Sequence, residues 1–196
     1  MKGRERKIFI TGFGGQGIIM AGDIMGRAAV IYGGKHATMT QNYGPEARGG
    51  ACSSQVIISD EEIPYPYADE PEILVCMSQE GYTKNVAYLQ EEGTLIWDED
   101  LVKVRKPHPS WHTYHVPATR LAEELGNKMM ANIVALGFVS AVTDAVDPEA
   151  LRRAVSESVP PVTRDTNERA FERGLEYGRA VLKGRAKTER AGDDER

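Results

Sequence analysis

The stretch "TGFGGQGIIMAG", residues 11–22, limits the fold of this chain more than any other segment. It follows "KIFI", whose apolar part reads as a buried strand. Gly12, Gly14 and Gly17 then stand in the G-x-G-x-x-G pattern, with Gly15 and Gln16 between them. In a strand–loop–helix unit of this kind the first glycine permits a tight turn. The second lets backbone approach a ligand, and the third allows close helix–strand packing. The helix that follows presents unpaired N–H groups and a partial positive charge to an anion. A nicotinamide-dinucleotide site also needs an acidic residue about 20 positions on, to hold a ribose hydroxyl. Between Asp23, inside the first helix, and Glu46 there is no Asp or Glu, and the second strand ends in the uncharged "ATMTQN". The loop therefore suits an anion other than NAD, or serves only the packing of strand one on its helix. Gln16 favours the former, because an amide at the loop can both donate and accept.

Strand and helix signals alternate through the first half. The helix from about Gly17 to Tyr32 stops at Gly33 and Gly34, and "KHATMT" is a short second strand. "QNYGPEARGG" reads as a loop, and "ACSSQVIIS" as a strand ending near Ser59. "EILVCM", a helix from Gln79 to Gln90, "TLIWD" and a short strand within "KPHPSWHTYHVPA" continue the series. The last third is helical. "ATRLAEELG" comes first, then "NKMMANIVALGFVSAVTDAV" with Asn127 as N-cap. A helix capped by Asp147 with Pro148 in its first position and a final amphipathic helix follow. The pattern predicts a Rossmann-like α/β domain: a largely parallel sheet with helices on both faces and a helical C-terminal extension. One domain spans residues 1–184. Residues 185–196 are a charged tail without large apolar side chains and read as disordered.

Composition narrows the function. Net charge is −5, which gives no general attraction to nucleic acid or an anionic membrane. The N-terminal "MKGRERK" followed by an apolar run superficially resembles a signal peptide, but five glycines and a glutamine interrupt the run. The most apolar helix is too short to span a bilayer. Two cysteines, Cys52 and Cys76, cannot supply a four-thiolate site and suggest the reducing cytoplasm.

A second glycine-rich segment, "NYGPEARGG" at 42–50, reinforces the first. Gly44 and Pro45 set a turn, and Gly49 and Gly50 let backbone come close to a neighbour. Between them stand Glu46 and Arg48, the latter a planar fork for carboxylate or phosphate. The plainer reading is a surface turn with a local Glu46–Arg48 pair. In a parallel sheet, however, the loops after strands one and two emerge at the carboxyl edge, where such folds bind ligands.

Taken together, "GFGGQGI", "YGPEARGG" and "VIISDEEI", with their spacing, resemble the gamma subunit of 2-oxoacid:ferredoxin oxidoreductases. "NKMMANIVALG" and "NERAFERG" resemble that family's C-terminal segments, so the likeness covers nearly the whole chain. The wording is closest to 2-oxoglutarate-type members; the indolepyruvate enzyme's small subunit is the nearest rival. The resemblance implies a subunit without activity of its own. It would belong to an enzyme that decarboxylates a 2-oxoacid on thiamine diphosphate with Mg, passes electrons through iron–sulfur clusters to ferredoxin and releases an acyl-CoA. Alpha and beta subunits, and a delta subunit as a further candidate, would be the partners and carry those cofactors. This chain would bind none alone and would contribute to assembly and the coenzyme A region. Gly12, Gly14, Gly15, Gln16, Gly17 and Gly44 to Gly50 are carried over as ligand-binding or interface positions, with no catalytic residue. A free-standing nucleotide-binding module is the alternative from another class.

Other features carry less. His108, His112 and His115 could suggest zinc, but in a strand His112 and His115 point to opposite faces. The acidic run Glu61, Glu62, Asp69, Glu70, Glu72 reads as a solvated or partner-facing surface rather than acid–base machinery. Cys52 and Cys76 read as buried thiols, and Ser78 lacks a nucleophile elbow.

Overall fold

The computed structural model describes residues 5–44 and 49–194, with side chains through Arg185. Period-two alternation in its strands decides the layering. In β1 (Glu5–Phe13), Ile8 and Ile10 enter one hydrophobic cluster and Phe9 another. β3 (Ala51–Ser59) splits the same way, with Val56 and Ile58 opposite Ile57. So does β4 (Ile73–Cys76), with Ile73 and Val75 opposite Leu74 and Cys76. Strands with apolar residues on both faces must be covered on both.

With β2 (His36–Tyr43), β5 (Thr94–Asp98) and β6 (His112–Val116) the sheet has the order β2-β3-β1-β4-β5-β6. β1, β4, β5 and β6 pair in parallel, as expected. β3 is the exception, antiparallel to both β2 and β1. The segment joining β2 to β3 is too short for a crossover helix, so the two form a hairpin. β2 is also longer than the sequence suggests: residues 41–43, read as loop, pair with Ser54, Ser53 and Cys52. Because β3 alone is reversed, β2 runs in the direction of β1, and both end at one edge.

One face carries α1 (Ile18–Arg27), α3 (Ala118–Glu124), α4 (Ala131–Val142), α5 (Pro148–Ser158) and α6 (Arg164–Asp194). The other carries α2 (Gln79–Asn85), packed with turn-borne side chains such as Ile63, Ala68, Val102 and Trp111. Asp147 Oδ1 accepts from Ala150 N–H at 3.0 Å, with Pro148 in the first helical position, the start the sequence predicts for α5. Asn127 likewise accepts from Met129 N–H, capping the turn that leads into α4.

α4 is buried along most of its length between the sheet and α6. Their crossing is close because Gly137 and Gly174 meet it with no side chain. A Cβ at Gly137 would lie 2.0 Å from the Phe171 carbonyl oxygen, and one at Gly174 1.9 Å from that of Val134. These are the last residues of the "NKMMANIVALG" and "NERAFERG" segments, which are thus two halves of one contact. α6 then passes β6, where Arg185 donates to the Thr113 carbonyl and stacks on Tyr114. The backbone of α6 is helical past Gly184 to Asp194. Residues 185–194 mix helix formers (Ala, Lys, Arg, Glu) with Thr188, Gly192 and two aspartates, and no proline interrupts a helix already begun.

Candidate ligand site at the carboxyl edge of the sheet

β1 ends against the start of β3, with Gly12 opposite Cys52 and Phe13 opposite Ala51. The two glycine-rich segments therefore meet. Gly14 N–H donates to the Gly50 carbonyl at 2.8 Å, and Gly44 N–H to that of Ala51 at 2.6 Å. The structure thus brings Gly12, Gly14, Gly15, Gln16, Gly17, Gly44, Gly49 and Gly50 to one edge. Pro45, Glu46 and Arg48 lie outside the described residues.

The glycine loop turns through two positive-φ positions, Gly15 at 95° and Gly17 at 70°. Gly17 is the N-cap of α1 and offers no side chain; the first turn of α1 carries no acidic residue. The first helical bond is that of Ala21 N–H to the Gly17 carbonyl. Earlier N–H groups of such a turn have no intrahelical acceptor, which leaves them suited to an anion.

Gln16 has a different setting from the one its sequence position suggests. Its Oε1 accepts from Phe13 N–H at 2.6 Å and its Nε2 donates to the Met77 carbonyl at 2.9 Å. The amide ties the loop to the end of β4. Asn132, missed at the sequence level, donates from Nδ2 to the Gly17 carbonyl at 3.1 Å and is 4% exposed. Its one signal was a polar side chain inside the most apolar helix, which when buried must find a partner. Ser54 donates to the Ile18 carbonyl, and Ser78 caps α2 by accepting from Gly81 N–H at 3.0 Å.

Beside the hairpin end lies a cleft of about 140 Å³, lined by Asn42, Tyr43, Ser53, Gly81, Lys84 and Asn85 among others. It is small for a ligand pocket, which typically spans about 300–1,000 Å³. Larger hollows, near 470 and 500 Å³, lie along α5–α6 and around Lys35 and Asp147, and neither includes a glycine-loop residue.

Farther along the same edge, the arrangement is ionic. Asp98 is buried and accepts from Thr119 N–H, Thr119 Oγ1 and Asp100 N–H, at 2.6–3.0 Å. Burial pushes its carboxyl up and these bonds oppose the rise. Glu99 pairs with Arg120 at 2.5 Å and His115 at 2.6 Å. Burial would raise Glu99, but bonds from Arg120 and then His115 outweigh it and hold the carboxyl below its ordinary value. His115 lies against Trp97 of one cluster, and Tyr114, beside it, packs against the other. His112 shares the strand face of Tyr114, so the two histidines diverge. Among the described residues no three His, Cys, Asp or Glu side chains are grouped as a metal site would require. Cys52 and Cys76 are both buried and free. Burial pushes the Cys76 thiol up to about 12 and that of Cys52 in the same direction. No helix among the described residues is long and apolar enough to cross a membrane.

A six-stranded α/β domain with paired glycine loops on one edge is the class these features define. The chain belongs to the Pyruvate ferredoxin/flavodoxin oxidoreductase family, whose profile matches residues 7–177. It is 47% identical over 179 residues to the 2-oxoglutarate synthase subunit KorC of Methanocaldococcus jannaschii, covering 90% of this chain and 96% of that one. It is similar to the crystal structure of the keto/oxoacid ferredoxin oxidoreductase gamma subunit from Geobacter sulfurreducens PCA. That match has TM-score 0.78 and 41% identity, over 89% of this chain and 99% of the other. The fold also matches part of the 2-oxoglutarate:ferredoxin oxidoreductase from Magnetococcus marinus. There the TM-score is 0.81 and the identity 22%, over 92% of this chain and 32% of that one.

Proposed function

We propose that this chain is the gamma-type subunit of a cytoplasmic 2-oxoacid:ferredoxin oxidoreductase that acts on 2-oxoglutarate and transfers the acyl product to coenzyme A. The observation that carries the reading is the near full-length identity to a 2-oxoglutarate synthase subunit. Thiamine diphosphate, Mg and the iron–sulfur clusters belong to alpha, beta and, where present, delta partners, and ferredoxin is reached through the complex. The chain's own residues agree with that division. Its two cysteines are buried and too few for a four-thiolate cluster, and the sequence holds no Gly-Asp-Gly of the kind that presents a metal to thiamine diphosphate. The cofactors supply the difficult chemistry, and this subunit supplies shape and binding.

The glycine loop, with Arg48 and the 44–50 segment, is the surface that contacts an anionic part of coenzyme A or a neighbouring subunit. Support comes from the first turn of α1, which carries no acidic residue, and from the tip glycine Gly15 at the carboxyl edge of the sheet. The test is affinity isolation of the chain from its native cells. Co-purifying subunits should carry thiamine and iron. The eluate should reduce an electron acceptor in a 2-oxoglutarate- and CoA-dependent manner, faster than with pyruvate, 2-oxoisovalerate or indolepyruvate. The chain alone should be inactive. Turnover by the isolated chain, or isolation without partners together with tight NADH or FAD binding, would replace this reading with a free-standing nucleotide-binding module.

A further inference from the structure

The glycines of residues 12–17 have different neighbours. A Cβ on Gly12 would stand 2.4 Å from Gln16 Oε1, and one on Gly17 2.4 Å from Asn132 Nδ2. These two glycines make room for amide side chains of the protein itself. Gly14 lies against the second loop, where a Cβ would sit 3.4 Å from Gly49 N. Gly15 alone, at φ +95°, has nothing within 4 Å of an added Cβ among the described residues. Gly12 and Gly17 are therefore closed off by internal side chains, Gly14 touches the second loop at ordinary contact distance, and Gly15 stands at the tip.

The two amides hold the loop from opposite layers. Gln16 links it to the sheet, through Phe13 N–H and the Met77 carbonyl. Asn132 links it to α4, through the Gly17 carbonyl. Gln16 already donates and accepts within the protein, and Asn132 already donates and is almost fully buried, so both are poorly placed to serve a ligand, whereas they fix backbone direction well. We propose that Gln16 and Asn132 are positioning residues, which set the glycine loop so that its Gly15 tip meets the ligand while neither amide touches it. The proposal rests on the reading of this loop as a coenzyme A contact.

The experiment uses the assembled complex. Gln16→Met keeps the side-chain volume and removes both bonds. Gln16→Glu keeps the acceptor for Phe13 N–H, and Asn132→Leu removes the second tie. Without CoA, deuterium exchange of the amides in residues 11–20 should rise roughly three- to tenfold in Gln16→Met and Asn132→Leu, the loss expected for a net hydrogen bond or two. Gln16→Glu should fall between these and the unaltered complex. The KM for CoA should rise by a similar factor while kcat stays within about twofold, the pattern of lost binding geometry. Unchanged exchange with a raised KM would mean direct ligand contact and would overturn the proposal. Raised exchange with an unchanged KM would overturn it too, and Gly15→Ala then locates the fault. If Gly15→Ala raises the KM, the loop meets CoA and only the positioning claim fails. If it does not, the coenzyme A reading of the loop fails.

Discussion

Two glycine clusters hold this domain together, and they do so for opposite reasons. At the α4–α6 crossing, Gly137 and Gly174 are glycine because backbone must touch backbone. At the end of β1 and in the loop beyond it, Gly12 leaves its space to the Gln16 and Ile18 side chains, Gly17 both turns left-handed and leaves its space to Asn132, and Gly15 turns left-handed without such a neighbour among the described residues. The crossing is a contact of the fold and has no slack. The loop is a small assembly of separate parts, each of which can be altered alone. Glycine spacing in a sequence does not distinguish the two; what lies opposite each missing Cβ does.

The largest expected effect comes from breaking the crossing. Gly174→Ala would place a carbon 1.9 Å from the Val134 carbonyl oxygen, and backbone on both sides leaves nothing flexible to move. The helices must separate, uncovering α4. Overpacking of this kind costs about 3 kcal/mol or more. Chemical denaturation of the complex should show that loss, and Gly137→Ala should match it. Because the two positions form one contact, the double variant should cost less than the sum. Strict additivity would mean that the two glycines do not share a contact.

Gly17→Ala tests the loop at its most constrained point. Left-handed backbone costs a non-glycine residue about 1–2 kcal/mol. The clash with Asn132 adds to that, but it involves a side-chain end that can turn away. A loss near 2 kcal/mol is expected, below that of Gly174→Ala. Combining it with Asn132→Ala should return only the clash part. Full recovery would show that Gly17 is there for space and not for its backbone angle.

Gly15→Ala is smaller still in stability. No atom of the described residues lies within 4 Å of the added carbon, so the strain at φ +95° dominates, about 1 kcal/mol. Its main consequence should be in the KM for CoA. The contrast between Gly17 and Gly15, stability against binding, is the sharpest form of the comparison.

Much of this was legible in the sequence, and the illegible parts share a physical cause. Strand β1, the glycine turn, the caps at Asn127 and Asp147 and the buried character of α4 are local, so composition and periodicity reveal them. The placement of both glycine segments at one edge followed from direction rules, and holds because β2 and β1 run the same way. The reversal of β3 was missed, although the short link between it and β2 excludes a crossover. Gln16 was singled out for its capacity to donate and accept, and in the structure that capacity is used on Phe13 N–H and the Met77 carbonyl. Whether its amide faces a ligand or the Met77 carbonyl depends on β4, some sixty residues away. Asn132 and the pairing of Gly137 with Gly174 are likewise long-range facts, and a single sequence records only that the residues are unusual for their segments.

The far end of the carboxyl edge supplies the weakest effect and a control for both clusters. There Glu99 binds Arg120 and His115, and the ties hold charge rather than space. Its carboxyl sits below the ordinary value in the folded chain, because the bonds from Arg120 and His115 exceed the effect of burial. A depressed folded-state value means that the contribution is present above the unfolded carboxylate range and is lost as pH falls through the folded one. The loss should therefore begin below about pH 5. The group is partly exposed, and so is Arg120, which limits the contribution to less than about 1 kcal/mol. Glu99→Gln should flatten the acid limb of the stability curve by that amount and leave neutral-pH exchange in the glycine loop unchanged. If the loop loosened as well, the carboxyl edge would be one coupled unit, and separate roles for its glycine and ionic halves would not stand.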